Sequence, residues 1–345
     1  MVVTGTRVSE GYLALIRQSG LHVVNPTEHL SGDALVHALE DAQGYLLAGD
    51  EIATREVLAR CEQLRLLAFL GTGYGSFVDA DAATELGIAI TNTPGANTTS
   101  VAELTVAHVL NARRRVTDLN NLTKQGQFPR TMTTDLHGAT VGVVGMGAIG
   151  SAIARILVDG FGMSLVYHSR ERKPRIEDAL GAKSVPLNQL LAASDVVVLA
   201  AATTPETIGL VGADQLNRMR PDAILINTAR AVLVDGHALS RALREDVIAT
   251  AAFDGYYVEP VPTPECDEYR LLSLPDAKFT LTPHTGALTI SANDRMCAMA
   301  VASVRSFFAT GDDEFIVNPA YRASLSATPD VASLPRRRVA EHADR

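Results

Sequence analysis

Cysteine is scarce and badly placed for cross-linking. Cys61, Cys266 and Cys297 are odd in number, far apart and outside any CxxC or Cys/His spacing, which excludes a disulfide scaffold and a zinc ribbon and fits reduced thiols in a cytoplasmic protein. None of the nine histidines falls at a metal-ligand interval either, so no metal is expected. Long apolar runs are also missing. The longest, Thr140 to Val158, is broken by Gly142, Gly145, Gly147, Gly150 and Arg155, so no membrane span is expected. The start of the chain has no cationic residues leading into an apolar run with a small-residue cleavage site, so no signal peptide is expected. Nor is there a basic stripe: 30 Lys and Arg stand against 39 Asp and Glu, a net charge of -9. A nucleic-acid partner is therefore not expected, while a small anion held by a few local cations stays open.

What is present is an ordinary globular composition, 47% apolar and 20% charged over 345 residues, long enough for two domains. Short β-rich runs alternate with helical patterns from the start. Leu21–Val24, Tyr45–Leu47 and Leu64–Leu70 read as strands, with helices at Ala34–Leu39 and Ile52–Cys61. A long helix is expected from about Ser100 to Arg115, opened by the NTTS capping residues. The polar stretch Thr117 to His137 reads as a linker or surface loop. From Thr140 the alternation restarts, with TVGVVG, SLVYH, DVVVLAA, AILINTA and VIATAAFD as strands, and a last clear helix runs from Ser291 to Phe308. Repeated strand–helix alternation means α/β, with two doubly wound parallel-sheet lobes.

Between the TVGVV strand and its helix lies GMGAIG, with Gly145, Gly147 and Gly150 at GxGxxG spacing. In that context the pattern reads as a phosphate loop. Gly145 allows the tight turn, Gly147 the close approach of a pyrophosphate and Gly150 close helix–strand packing, while the helix start at Ala148 and Ile149 offers unpaired N–H groups. The next strand ends in His168, where an NAD site would place an acid, and Ser169, Arg170, Arg172 and Lys173 follow. A 2′-phosphate suits arginine and is repelled by a carboxylate, so NADP is expected in preference to NAD.

Three later segments end apolar runs with chemistry-bearing residues: NTARAVLVD with Arg230, FDGYYVEP with Asp254 and Glu259, and LTPHTG with His284. In a doubly wound sheet such positions share the carboxyl edge, where ligands bind.

Through GMGAIG, NTAR, the D…EP segment and TPH, in that order, the sequence resembles the D-isomer-specific 2-hydroxyacid dehydrogenases over about Leu64 to Asn318, and its His168-Ser169-Arg170 turn resembles that of the glyoxylate/hydroxypyruvate reductases among them. The resemblance implies a Rossmann dinucleotide-binding domain (106–284), a discontinuous flavodoxin-like substrate domain (1–105 and 285–325) and a tail (326–345), with an active site reached by hinge closure in a homodimer. It implies hydride transfer between a nicotinamide and C2 of a small 2-oxo or 2-hydroxy acid. Arg230 would bind and polarise the substrate, His284 would be the general acid/base and Glu259 its partner. Asp254 would hold the nicotinamide carboxamide, with Thr228 and Ala229 beside the cofactor. Thr72 and Gly73, with Asn97 nearby, would meet the substrate carboxylate.

The sequence departs from that pattern where Ala231 follows Arg230 and where Gly255, Tyr256 and Tyr257 follow Asp254. The stretch Glu265 to Arg270 is long for its place, either a pocket cover or plain surface. Two other readings are a dehydrogenase acting on phosphite or formate, and a dinucleotide-sensing protein of the corepressor type. Thr72 in place of a lysine argues against phosphite, and the presence of Glu259 argues against formate.

Overall fold

A computed structural model of the chain describes residues 1–327; the expected tail lies outside them except for its first two residues. The chain forms two compact units, Met1–Pro94 with the chain from Met296 onward, and Gly95–Arg295.

The first unit holds a parallel sheet, β1 (Val2–Val3), β2 (Gly44–Leu47), β3 (Leu66–Phe69) and β4 (Ala89–Thr91), in that spatial order. The expected strand Leu21–Val24 contributes only Val24, bridged to Val2. The segment runs directly into Asn25 and Pro26, and proline has no N–H with which to extend a ladder. Strands β1 and β4 are too short to print an alternation and do not stand out in the sequence.

The second unit is built on seven parallel strands: β5 (Thr140–Val144), β6 (Ser164–His168), β7 (Lys183–Ser184), β8 (Val196–Leu199), β9 (Ile224–Asn227), β10 (Thr250–Asp254) and β11 (Phe279–Thr282). Their order is β11-β10-β9-β8-β5-β6-β7. Both faces are covered, which is why the central strands are apolar throughout rather than alternating. Helices α1 (Thr98–Arg114) and α3 (Ala148–Arg155) share one core with the sheet. Helix α4 (Gly236–Arg244) packs into the other, on the opposite face. The strand order reverses between β5 and β8, and such a switch point opens a crevice at the carboxyl ends.

Two expectations shift. The stretch Thr117 to His137 is not all loop, because helix α2 (Val116–Lys124) forms directly after α1. Arg115, at φ 52, turns the chain between the two, and its guanidinium pairs with the buried Asp118 carboxylate at 2.5 Å. The units change over at Pro94/Gly95 and inside helix α5 (Ile290–Thr310), at Arg295/Met296, rather than at 105/106 and 284/285. α1 packs on α3, β9 and β10, and residues before Met296 are tied to its start: Ser100 Oγ lies 2.8 Å from Thr289 Oγ1, and Arg295 Nε donates to the Ala96 carbonyl at 2.8 Å.

Candidate active site

The GMGAIG turn leaves β5 at the switch point. Gly145 adopts φ +96, and a Cβ there would lie 2.5 Å from the backbone nitrogen of Ala201. Its N–H donates to the His168 carbonyl at 2.8 Å, joining the loop to the end of β6. At Gly150 a Cβ would come within 2.0 Å of the Gly145 carbonyl oxygen, so helix and turn touch backbone to backbone. Gly147 differs: a Cβ there would meet nothing within 4 Å. Gly147 and Ala148 are exposed and Ile149 half-buried at the start of α3, so the first N–H groups of the helix face open space of the kind a pyrophosphate fills. The residues present fit a dinucleotide.

At the end of β6, His168 donates from Nδ1 to the Val185 carbonyl at 3.1 Å. Ser169 is half-buried and Arg170 exposed. Arg172 turns away to Glu177, with Nε 3.2 Å from Oε1, and Tyr167 adds its hydroxyl to the same oxygen at 2.6 Å. Of the two arginines expected at a 2′-phosphate, Arg172 is therefore held by a carboxylate.

Arg230 follows β9. The side chain of Asn227, the buried last residue of that strand, shapes the turn by accepting from Ala229 N at 3.1 Å and donating to the Arg230 carbonyl at 2.8 Å. Thr228 is held to α1 through Thr105, hydroxyl to hydroxyl at 2.7 Å. Burial pushes the Arg230 guanidinium below its ordinary value, and the charges of Glu259 and Asp254 oppose that shift.

Asp254 ends β10 and is 4% exposed. It accepts from Thr282 Oγ1 at 2.7 Å, Thr285 N at 2.8 Å and Gly286 N at 2.7 Å. The last two bonds hold the backbone just after His284, which sits at φ +53, a left-handed conformation uncommon for a non-glycine residue. Holding it there costs about 1–3 kcal/mol, offset by a buried carboxylate gripping the backbone on its far side. His284 Nδ1 meets Glu259 Oε2 at 2.9 Å. The other oxygen, Oε1, accepts from Tyr256 N at 2.9 Å. The hydrogen bond from His284 holds the Glu259 carboxyl below the usual carboxylate range, with smaller contributions from the imidazole charge, the Tyr256 N–H and Arg230. A histidine whose Nδ1 is committed to a carboxylate presents Nε2 for proton exchange.

The structure thus gathers Arg230, Asp254, Glu259 and His284 at the same sheet edge as the glycine turn. Thr72 and Gly73 lie in the first unit, exposed on the turn after β3. The Thr72 carbonyl accepts from Asn92 Nδ2 at 3.0 Å. Asn97 is 9% exposed at the start of α1, but its side chain makes no capping bond, since its φ of −101 and ψ of 1 depart from the extended cap geometry.

Several supporting residues were not visible in advance. Asn227 is a polar end to an apolar strand, a signal that could have been used. His108 is buried with Nε2 3.0 Å from Thr282 Oγ1, one step from Asp254. Asp267, 2% exposed, anchors the stretch Glu265 to Arg270; nothing in a polar run marks it. Among the described residues no cluster of His, Cys, Asp and Glu could hold a metal ion, and no helix is long and apolar enough to cross a membrane.

Residues 106–286 match the family model for the NAD binding domain of D-isomer specific 2-hydroxyacid dehydrogenases. A glyoxylate reductase of Thermococcus onnurineus is 33% identical over 316 residues, 89% of this chain and 92% of the relative. A glyoxylate/hydroxypyruvate reductase B of Yersinia enterocolitica is 35% identical over 304 residues, 86% and 91% of the two chains. Among solved structures, an NADPH-dependent glyoxylate/hydroxypyruvate reductase of Sinorhizobium meliloti, in complex with NADP and malonate, superposes with a TM-score of 0.76 at 28% identity. It covers 92% of this chain and 96% of its own.

Proposed function

Because this chain belongs to the D-isomer specific 2-hydroxyacid dehydrogenases and is an NAD(P)-dependent oxidoreductase, we propose that it reduces a small 2-oxo acid of glyoxylate or hydroxypyruvate size, with NADPH preferred. The observation that carries this reading is the 2.9 Å bond between His284 Nδ1 and Glu259 Oε2, at the sheet edge that also bears the glycine turn.

A bound nicotinamide supplies the hydride that goes to the carbonyl carbon. Glu259 favours the imidazolium of His284, and Nε2 gives its proton to the carbonyl oxygen as negative charge gathers there. The ring is left neutral with Nδ1–H still on Glu259, and the product is the 2-hydroxy acid. Arg230 grips the substrate carboxylate or carbonyl with its planar fork, strengthened by partial burial. Asp254 Oδ2, which accepts one N–H in the structure, has a lone pair left for the nicotinamide carboxamide, with Thr228 and Ala229 beside it.

For the cofactor, β6 ends in His168 without an acid, and the exposed Arg170 supplies the charge that a 2′-phosphate needs. The Sinorhizobium relative is NADPH-dependent, which supports the same reading. We also propose a homodimer: α2 and the segment after it expose Val116 (55%), Phe128 (82%) and Met132 (94%), apolar surface that a second copy would cover. Light scattering coupled to size exclusion should give twice the mass of the chain.

The test is cofactor oxidation followed by absorbance, with NADPH and NADH, over glyoxylate, hydroxypyruvate, pyruvate and bulkier 2-oxo acids. NADPH should be oxidised fastest with the smallest acids, and Arg170→Ala should raise KM for NADPH about tenfold while leaving NADH use unchanged. Equal use of NADH by the wild type would remove the 2′-phosphate assignment and keep the enzyme. Silence with both cofactors would favour a dinucleotide-sensing protein.

A further inference from the structure

Between Asp254 and β11 the chain runs through Gly255, Tyr256, Tyr257 and the stretch Glu265 to Arg270, none of which the proton transfer uses directly. Tyr256 makes two bonds there. Its backbone N–H donates to Glu259 Oε1 at 2.9 Å, and its hydroxyl donates to Asp267 Oδ1 at 2.6 Å. Asp267 in turn accepts from Tyr269 N at 3.1 Å and from Leu272 N at 2.9 Å, so a buried carboxylate fastens both the tyrosine and the loop. Gly255 makes the arrangement sterically possible. At φ +91 it has no Cβ, and one built there would lie 2.6 Å from Glu259 Oε1 and 3.5 Å from His284 Cγ.

Glu259 is therefore held from two sides. With its side chain 40% exposed, a glutamate bonded only to a histidine would be free to turn into water. The groups facing it are His284, Arg230 and the Tyr256 N–H. Those facing Tyr256 are Asp267, Tyr257 and Tyr269. Tyr257 belongs to the same aromatic cluster, its ring 4.3 Å from that of Tyr269, but its hydroxyl donates to the Val234 carbonyl at 2.9 Å and has no part in the clamp.

We propose that Tyr256 is a positioning residue of the reaction: Asp267 fixes Tyr256, Tyr256 fixes the free oxygen of Glu259, and Glu259 fixes His284. The loop from Glu265 to Arg270 is thereby coupled to proton delivery, and the Gly255-Tyr256 pair is the feature that permits it. The proposal rests on the reading of His284 as the proton donor.

The experiment is kcat/KM for reduction of a 2-oxo acid against pH, with a thermal melt for each variant. Reduction takes a proton from His284 Nε2, so activity falls as pH rises. When Glu259 is held less firmly the imidazolium is less favoured, and that fall moves to lower pH. Tyr256→Phe and Asp267→Asn should each move it down by about half a pH unit, and Gly255→Ala further. Tyr257→Phe, which loses a comparable hydroxyl, should leave it in place. An unmoved fall in Tyr256→Phe overturns the proposal, as does an equal movement in Tyr257→Phe. Should Tyr256→Phe not fold, Asp267→Asn decides alone, because it keeps its shape and one acceptor oxygen. His284→Ala separates the two readings. Retained turnover there removes the acid–base assignment itself, whereas lost turnover with an unmoved fall in Tyr256→Phe removes only the positioning chain.

Discussion

The turn after β5 and the turns after β9, β10 and β11 occupy one edge of one sheet, yet they are built by opposite means. The first is made by missing side chains: Gly145 and Gly150 let backbone meet backbone where any Cβ would collide. The others are made by buried polar side chains that reach past their own element. Asn227 shapes the Arg230 turn, Asp254 holds the His284 turn and Asp267 holds Tyr256. Gly145 and Gly150 tolerate no addition, and a turn made by side-chain hydrogen bonds tolerates no loss of a partner. Their responses to substitution should differ accordingly.

The largest expected effect is on the catalytic side. His284→Ala should lower turnover by about two to four orders of magnitude, with NADPH binding, followed by cofactor fluorescence, unchanged. Next come the glycines. Gly150→Ala should cost about 1–3 kcal/mol in urea unfolding, because the new methyl group meets a carbonyl oxygen rather than a pliable side chain. Gly147→Ala separates fold from ligand: at φ −80 with open space around it, alanine should leave stability equal or higher by about 0.4–1 kcal/mol while NADPH affinity falls. Wild-type affinity in that variant would deny the turn its role as a cradle. Asp254→Asn should destabilise by about 1.5–3 kcal/mol through weakened bonds to Thr285 and Gly286, and calorimetry would measure it.

The smallest effect is on acid stability. Because the folded-state Glu259 carboxyl lies below its ordinary value, its contribution is complete above about pH 4.3 and is lost as pH falls through the folded value. The stability gap between wild type and Glu259→Gln in urea should therefore shrink between about pH 5 and about pH 3. The gap should be modest, since the pair is partly solvated. A gap that widened on acidification would reverse the sign assigned to the pair.

The same contrast explains what could be read in advance. Gly145, Gly147 and Gly150 announce themselves because their information is spacing within a few residues, and Arg230, Asp254, Glu259 and His284 because each ends an apolar run. Strands β5, β6, β8, β9 and β10 are legible for the same reason, being largely apolar blocks, whereas β7, the exposed pair Lys183–Ser184, carries no such signal. What stayed hidden is pairwise and distant. No local pattern connects Asp267 to Tyr256 or His108 to Thr282. The two-residue and three-residue strands at Val2 and Ala89 are too short to carry a period, and helix α2 was masked by a polar composition that amphipathic surface helices share with loops.

Strand β4 has a consequence for how the protein is made. Its outer side is completed by residues far along the chain: Val317 N donates to the Ile90 carbonyl at 2.9 Å, and Asn318 accepts from Ile90 N while donating to the Ile88 carbonyl and to Thr84 Oγ1. During synthesis the residues up to Pro94 emerge before those of the second unit, but this edge has no partner until more than two hundred further residues have been added. The contiguous unit Gly95–Arg295 can complete its sheet in the meantime. The residues before Gly95 thus leave the ribosome ahead of the second unit yet are finished after it, and until then an unpaired apolar edge is open to wrong partners.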